Sequence, residues 1–283
     1  MRLNMWHVNT LIIKSTLVLL LYSLSISAQD DLLTIFKRRP MIREIATSTF
    51  TFKFYEYHIN DRRSQWDGLR VCWVKFPKEL VEIKIKDLRQ NGNINGVYEN
   101  ACNGKELIVM SGGFFDEGKD GKMPVGLLIS EGKVLSDVAT WESGGILFQN
   151  EVSLGIIPIG YFEHINKSKL KYAIQSKPLV VQDSRNGIYS DDKIFFDRVG
   201  VGFTNDNQLI IGGAFNRSIQ ALSLYQFGKL MATKKEDDGP DGKLILAMDG
   251  GPGAHIYIPS LDLHFGHAGE KYVANTIHIY LKE

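Results

Sequence analysis

The sequence is poor in cysteine, proline and net charge, and each shortage removes a class of protein. Only Cys72 and Cys102 occur in 283 residues, too few for a disulfide scaffold, and neither a CxxC pair nor a Cys/His cluster with zinc spacing is present. Lysine and arginine number 33 against 32 acidic residues, so no chain-wide positive field exists to hold nucleic acid or an anionic membrane. The eight prolines form no Pro/Ser-rich linker, and no repeat of 20 to 50 residues is evident. A GxSxG elbow, a Walker loop, a dinucleotide fingerprint and an HExxH helix are all missing, so no motif implies a cofactor or metal. What remains, 44% hydrophobic and 23% charged, is the composition of an ordinary folded protein.

Long apolar runs are missing too. Arg2 and Lys14 are the only charges before Asp30, and Thr16 to Leu24 (TLVLLLYSL) is followed by Ser25, Ser27 and Ala28. A bilayer span needs about 18 or more apolar residues, so residues 1–28 are expected to be a cleaved signal peptide rather than an anchor. The expected product is a secreted or periplasmic domain over residues 29–283, without stable membrane insertion. Its 255 residues carry 31 basic against 32 acidic side chains and lie near the upper limit for one hydrophobic core. In such a compartment Cys72 and Cys102 form either one disulfide or two buried thiols, and the sequence leaves both open.

Short strand patterns dominate what is there. Phe50 to Ile59 (FTFKFYEYHI) alternates at period two, as do Arg70 to Phe76 and Val81 to Ile85. Leu107 to Met110 and Lys243 to Met248 are apolar enough to be buried strands, and Tyr272 to Leu281 is a closing one. Hairpins are expected over Gly126–Val134, Gly145–Ile157 and Val199–Ile211, with turns at Glu131-Gly132, Asn150-Glu151 and Asn205 to Asn207. Residues 93–101 are expected to form a short helix. A second helix is better signalled: Ser223 and Gln226 form a capping box, and Leu224, Phe227, Leu230 and Met231 share one face. Many strands and few helices, without βαβ alternation, predict an α+β or largely β single domain on mixed or antiparallel sheets.

Two segments share one design, an apolar strand running into glycines beside an acid. They are Leu107 to Asp116 (LIVMSGGFFD) and Leu244 to Gly253 (LILAMDGGPG). Gly112-Gly113 and Gly250-Gly251 let a ligand approach the backbone and offer amides to an anion, while Asp116 and Asp249 supply carboxylates. Either segment alone is equally a local turn. Between them, Gln175 and Ser176 offer neutral donors, and Arg198 offers a guanidinium fork for a phosphate or carboxylate, or an ion pair with Asp197. Asp116 to Gly121 (DEGKDG) begins like a calcium loop, but Leu127 stands where the bidentate acid belongs, which makes it a solvated turn. His255, His264 and His267 are isolated histidines, of which His255 lies nearest the second acid. Trp66, Trp73 and Trp141 are read as core residues, with sugar stacking as the alternative.

Taken in order, SGGFFD, Pro124-x-Gly126, Gln175-Ser176-x-Pro178-Leu179-Val180, Arg198-x-Gly200-x-Gly202 and MDGGPG-x-x-x-Tyr257-x-Pro259 resemble the phosphodiester glycosidase family. Its best-known member, the mammalian uncovering enzyme, removes N-acetylglucosamine from a phosphate diester on mannose. The resemblance runs from Leu107 to Tyr257 and departs at Ser111, where the family has Asn, at Ala247-Met248 before the second acid, and at Gly253 and Ala254, where it has a hydroxyl pair. It implies a hydrolase that cuts between an anomeric carbon and a phosphodiester in a sugar-phosphate or glycan substrate. Asp249 would be the primary carboxylate and Asp116 the second. Arg198 and the glycine amides would face the phosphate, and Gln175, Ser176 and His255 the substrate. A non-catalytic glycan-binding module and a metal-assisted phosphodiesterase are the alternatives.

Overall fold

The computed structural model describes residues 31–88, 104–118, 121–164, 166–216, 221–266 and 273–282. The expected signal peptide, the expected helix at 93–101, and Cys102 and His267 lie outside them.

Backbone alternation turns the strand patterns into three antiparallel sheets. The largest runs β1 (Met41–Ala46), β2 (Thr51–His58), β3 (Arg70–Pro77), β16 (Gln208–Phe215), β15 (Arg198–Thr204), β17 (Gly242–Ala247), β13 (Leu179–Gln182) and β14 (Arg185–Asn186). A second joins β11 (Leu154–Pro158), β10 (Gly145–Gln149), β12 (Tyr172–Ser176), β8 (Leu128–Ser130) and β9 (Lys133–Ser136). The third joins β19 (Leu263–Gly266), β18 (His255–Ile258), β5 (Glu106–Ser111), β20 (Asn275–Leu281) and β4 (Val81–Asp87). A hairpin of β6 (Phe115–Gly118) and β7 (Gly121–Pro124) stands apart, and it occupies the stretch that opens like a calcium loop.

All three sheets turn one face onto a common core, to which Phe54 and Val74, Leu147 and Ile174, and Ile83, Ile108 and Ile277 contribute. The other face of the largest sheet carries a second cluster with Tyr57, Trp73 and Ile245, covered by Phe227 and Leu230 of α1 (Leu224–Met231) and by the 3-10 turn Leu32–Lys37. The helix starts where its sequence requires: Ser223 accepts from the Gln226 amide, and the Gln226 side chain accepts from that of Ser223. The three expected hairpins form, and at the tip of the first both Glu131 and Gly132 adopt positive φ, as a two-residue turn with right-handed twist demands.

The fold is therefore mostly β, and the α+β expectation holds only loosely. Every described pairing is antiparallel, and α1 is the one α-helix among the described residues. Several strands, β1 and β12 among them, carried too little pattern to be foreseen. β1 is an edge strand with Met41 and Ile42 about half exposed, and β12 is buried at all five positions, so neither alternates. Cys72 is a free, buried thiol whose pKa is pushed up by desolvation.

One arginine, ion-paired within the largest sheet, ties that sheet to the third through an aromatic ring. Arg70 donates to buried Glu56 through Nε at 2.9 Å and Nη2 at 2.8 Å, and its guanidinium lies 4.2 Å from the centre of the Phe265 ring on β19. Without Arg70, buried Glu56 keeps only Arg43 Nε at 3.7 Å, and breaking such a buried pair costs about 3 kcal/mol. Arg70→Ala should lower unfolding free energy by about that amount in urea titration, with Arg70→Lys intermediate.

Candidate active site

The site is assembled where strand ends from all three sheets meet. β17 is buried through Ile245 to Ala247 and emerges as Met248-Asp249-Gly250. Three backbone bonds fix that exit: Met248 N–H to Val199 O at 3.0 Å, Asp249 N–H to Gly112 O at 2.9 Å, and Gly251 N–H to Asp197 O at 2.9 Å. The two acid-glycine segments thus touch directly, through the Asp249–Gly112 bond. β15 pairs with β17 in the register Gly200 to Ala247, which sets Arg198 across from Asp249 two steps on. Ser176, at the end of β12, donates to Ala247 O at 2.7 Å and closes the third side.

The glycines serve close approach more than anion binding. Gly112 N–H is bonded to Asn275 O at 3.1 Å, and Gly113 N–H to Asn275 Oδ1 at 2.7 Å. A Cβ on Gly112 would overlap that same Oδ1. Gly251 has φ +66°, a left-handed conformation in which glycine is unstrained. Three of the four amides expected to face a phosphate are therefore committed to protein carbonyls. The fourth, of Gly250, donates to the Asp249 carboxylate.

That carboxylate is half-buried, and loss of water raises its pKa to about 7 against the opposing pull of Gly250 N–H. Arg198 is aimed rather than ion-paired. Its Nε donates to Leu222 O at 2.9 Å and its Nη2 to Ile194 O at 2.8 Å, and its guanidinium lies 5.3 Å from the Phe196 ring centre. Nη1 lies 3.6 Å from where a Cβ on Gly250 would stand. Burial lowers the arginine's pKa, with Asp192 and Asp197 opposing the shift.

The remaining expected residues divide. Gln175 is buried, with Oε1 accepting from Leu127 N–H and Ala139 N–H at 2.9 Å and Nε2 donating to Ala139 O at 2.8 Å. Its amide braces the backbone on either side of β8 and β9. The hydroxyl hydrogen of Ser176 is likewise taken. Asp116 stands exposed on β6 opposite Met123, three residues beyond Gly113, and no described hydrogen bond joins it to Asp249. His255 is buried, donates its N–H to Ser111 Oγ at 3.3 Å, and places Nε2 3.2 Å from His264 Nδ1. His264 stacks on Tyr257 at 4.2 Å, and its Nε2 lies 3.7 Å from Asp262. Trp66 and Trp73 are core, whereas Trp141 is half-exposed, edge-on to Phe114, with Lys177 Nζ 4.8 Å from its ring centre.

Asn275 is the residue that sequence reasoning missed. It is 1% exposed and holds the first glycine pair with both its main-chain and side-chain oxygens, while its Nδ2 has no hydrogen-bond partner among the described residues. Its only sequence signal is a polar residue opening the alternating NTIHIYL strand, 162 positions from the glycine it serves.

The mostly β fold thus sets Asp249, its pKa raised to about 7, across from Arg198 on the neighbouring strand. The phosphodiester glycosidase model matches residues 104–280, more than half of the chain, and the protein belongs to that family. The catalytic domain of zebrafish N-acetylglucosamine-1-phosphodiester alpha-N-acetylglucosaminidase, auto-inhibited by its pro-peptide, is similar in structure with a TM-score of 0.54 and 13% identity, over 87% of this chain and 83% of that one. A protein from Burkholderia pseudomallei, described as a candidate exported protein, is similar with a TM-score of 0.56 and 9% identity, over 75% of this chain and 74% of its own. At these identities the likeness is one of fold. No curated protein matches the chain in sequence.

Asn275→Ala leaves the Gly113 amide buried without its acceptor and should cost about 1–3 kcal/mol. Thermal melting monitored by circular dichroism checks this, and Gly112→Ala, which displaces the same side chain, should destabilise the protein in the same direction.

Proposed function

We propose that the protein hydrolyses the bond between a sugar's anomeric carbon and a phosphodiester oxygen. The observation that carries this reading is the juxtaposition, on adjacent strands, of Asp249 with its pKa raised to about 7 and Arg198 with Nη1 turned to Gly250. Cleavage breaks the C–O bond at the anomeric carbon, and its electron pair leaves on a phosphate oxygen. Phosphate is a good leaving group, so charge stabilisation matters more than protonation. Arg198 is placed for that part, since Nε and Nη2 are held by backbone carbonyls while Nη1 lies on the Gly250 side.

On the sugar side a water must be deprotonated as it attacks. A base works best when its pKa lies near the working pH, which describes Asp249. Asp116 is the second carboxylate, whose approach would determine whether attack is direct or through an enzyme-bound sugar; a separation of about 5 Å suits the latter and about 6.5–9.5 Å the former. Half-exposed Trp141 beside Phe114 offers a face for the sugar ring. The departure at Ala254 weighs little against turnover, because Ala254 is fully buried, so a hydroxyl there would lie in the core. The reading includes export of the mature domain to a secreted or periplasmic location.

Asp249→Asn should abolish turnover of a glycosyl phosphodiester while leaving the circular dichroism spectrum unchanged, and the wild-type product should be free sugar by mass spectrometry. Release of sugar 1-phosphate would instead identify cleavage at phosphorus. Arg198→Ala should reduce kcat/KM on phosphodiesters far more than on aryl glycosides.

The pH dependence follows from the same carboxylate. As a base it must be ionised, so kcat/KM should rise with a midpoint near pH 7. Its folded pKa is raised above the unfolded value of 3.8, so folding favours the protonated form, and this contribution is lost as pH rises from about 4 through about 7. Asp249→Asn should therefore melt at the wild-type temperature near pH 4 and above it at pH 8.

A further inference from the structure

A second site lies at the far end of the largest sheet. Arg198 opens β15 and Thr204 ends it, which at about 3.3 Å per residue puts the far end about 20 Å away. There the chain leaving the 3-10 turn Leu32–Lys37, the outer faces of β2 and β3, and the segment after α1 enclose a groove of about 650 Å³.

Its lining is unlike the near-neutral chain as a whole. Lys37, Arg38, Arg39, Lys53, Lys75 and Lys235 face Asp206 and Asp238. Asp206 is already engaged, accepting from Thr204 Oγ1 and from Gln208 Nε2. Lys75 is half-buried and makes no described ion pair within 4 Å; burial lowers its pKa, with Asp241 and Asp206 opposing. An ammonium drawn out of water without a partner is a place prepared for an anion. One wall is aromatic: Tyr55, partly exposed, stacks on Trp73 at 5.6 Å, and Trp73 stacks on Tyr57 at 5.2 Å. Trp73 and Tyr57 are buried, so Tyr55, held flat by that stack, is the ring that offers a sugar an apolar face beside cations that suit a phosphate. The volume is that of a small-ligand site rather than a polymer track.

We propose that this groove binds a phosphorylated sugar, as a unit of the same anionic glycan that is cut at Asp249. The choice of carrier rests on the proposed function; the excess of cations and the aromatic wall do not.

The test is isothermal titration of glucose 6-phosphate, glucose, inorganic phosphate and a single-stranded oligonucleotide, each into intact Asp249→Asn protein. Glucose 6-phosphate should bind at least tenfold more tightly than either glucose or inorganic phosphate, and more weakly as salt is raised. The double variant Lys53→Gln/Lys75→Gln should lose about tenfold, matching the removal of two charge-assisted contacts. Lys53→Gln alone, at an exposed position, should lose less, and Arg198→Ala nothing. Unchanged affinity in both lysine variants, equal binding of glucose and its phosphate, or tighter binding of the oligonucleotide overturns the proposal. In the wild-type background, Lys53→Gln/Lys75→Gln should keep normal turnover of a small glycosyl phosphodiester. If the unmodified protein turns over no such substrate yet binds glucose 6-phosphate as expected, the reading of Asp249 fails and the groove stands.

Discussion

The backbone hydrogen bond from Asp249 N–H to Gly112 O is the direct link between the two acid-glycine segments of the candidate site. It joins the end of a strand in the largest sheet to the end of a strand in the third. Those strands share a core but no edge, so the bond has to form where side chains would otherwise keep the chains apart. That requirement explains the glycines. Gly112 has no room for a Cβ because Asn275 occupies the space, and Gly251 must turn left-handed to bring its amide to Asp197. The glycine pairs are thus structural, and the chemistry falls to the side chains they bring together.

The same convergence sets the electrostatics. Enclosing Asp249 among three strand ends removes water from its carboxylate and lifts its pKa to about 7, with one amide to offset the loss. Arg198 is desolvated as well, but two carbonyls fix the fork, so its orientation exists before any ligand arrives. An acid held near neutrality and a preoriented cation on neighbouring strands need no large rearrangement to act in concert.

Much of this was legible in the sequence, for definite reasons. Period-two alternation exposed β2, β3 and β4, turn residues exposed three hairpins, and the Ser223–Gln226 box exposed α1, because each signal is local. The Asp249 and Gly112 segments stood out because a buried strand ending in glycine and acid is a local pattern too. The partners that give those segments their roles were not legible. Asn275 sits 162 residues from the amide it accepts, and Gln175, a plausible ligand donor by type, braces Leu127 and Ala139. The amides of Gly112 and Gly113 read as free because nothing nearby in the chain consumes them. β1 and β12 escaped because one is exposed and the other buried at nearly every position, which erases alternation.

The place of β20 has a consequence for how the molecule is made. It is the last of the described strands, yet it lies inside its sheet, hydrogen-bonded to β4 on one side and β5 on the other, and it carries Asn275. β4 and β5 do not pair with each other, so a growing polypeptide has nothing to close that sheet with until residues 275–281 have been made. Folding of this sheet must then wait for β20 rather than follow synthesis strand by strand, slowed by the long loops that antiparallel partners so far apart have to close.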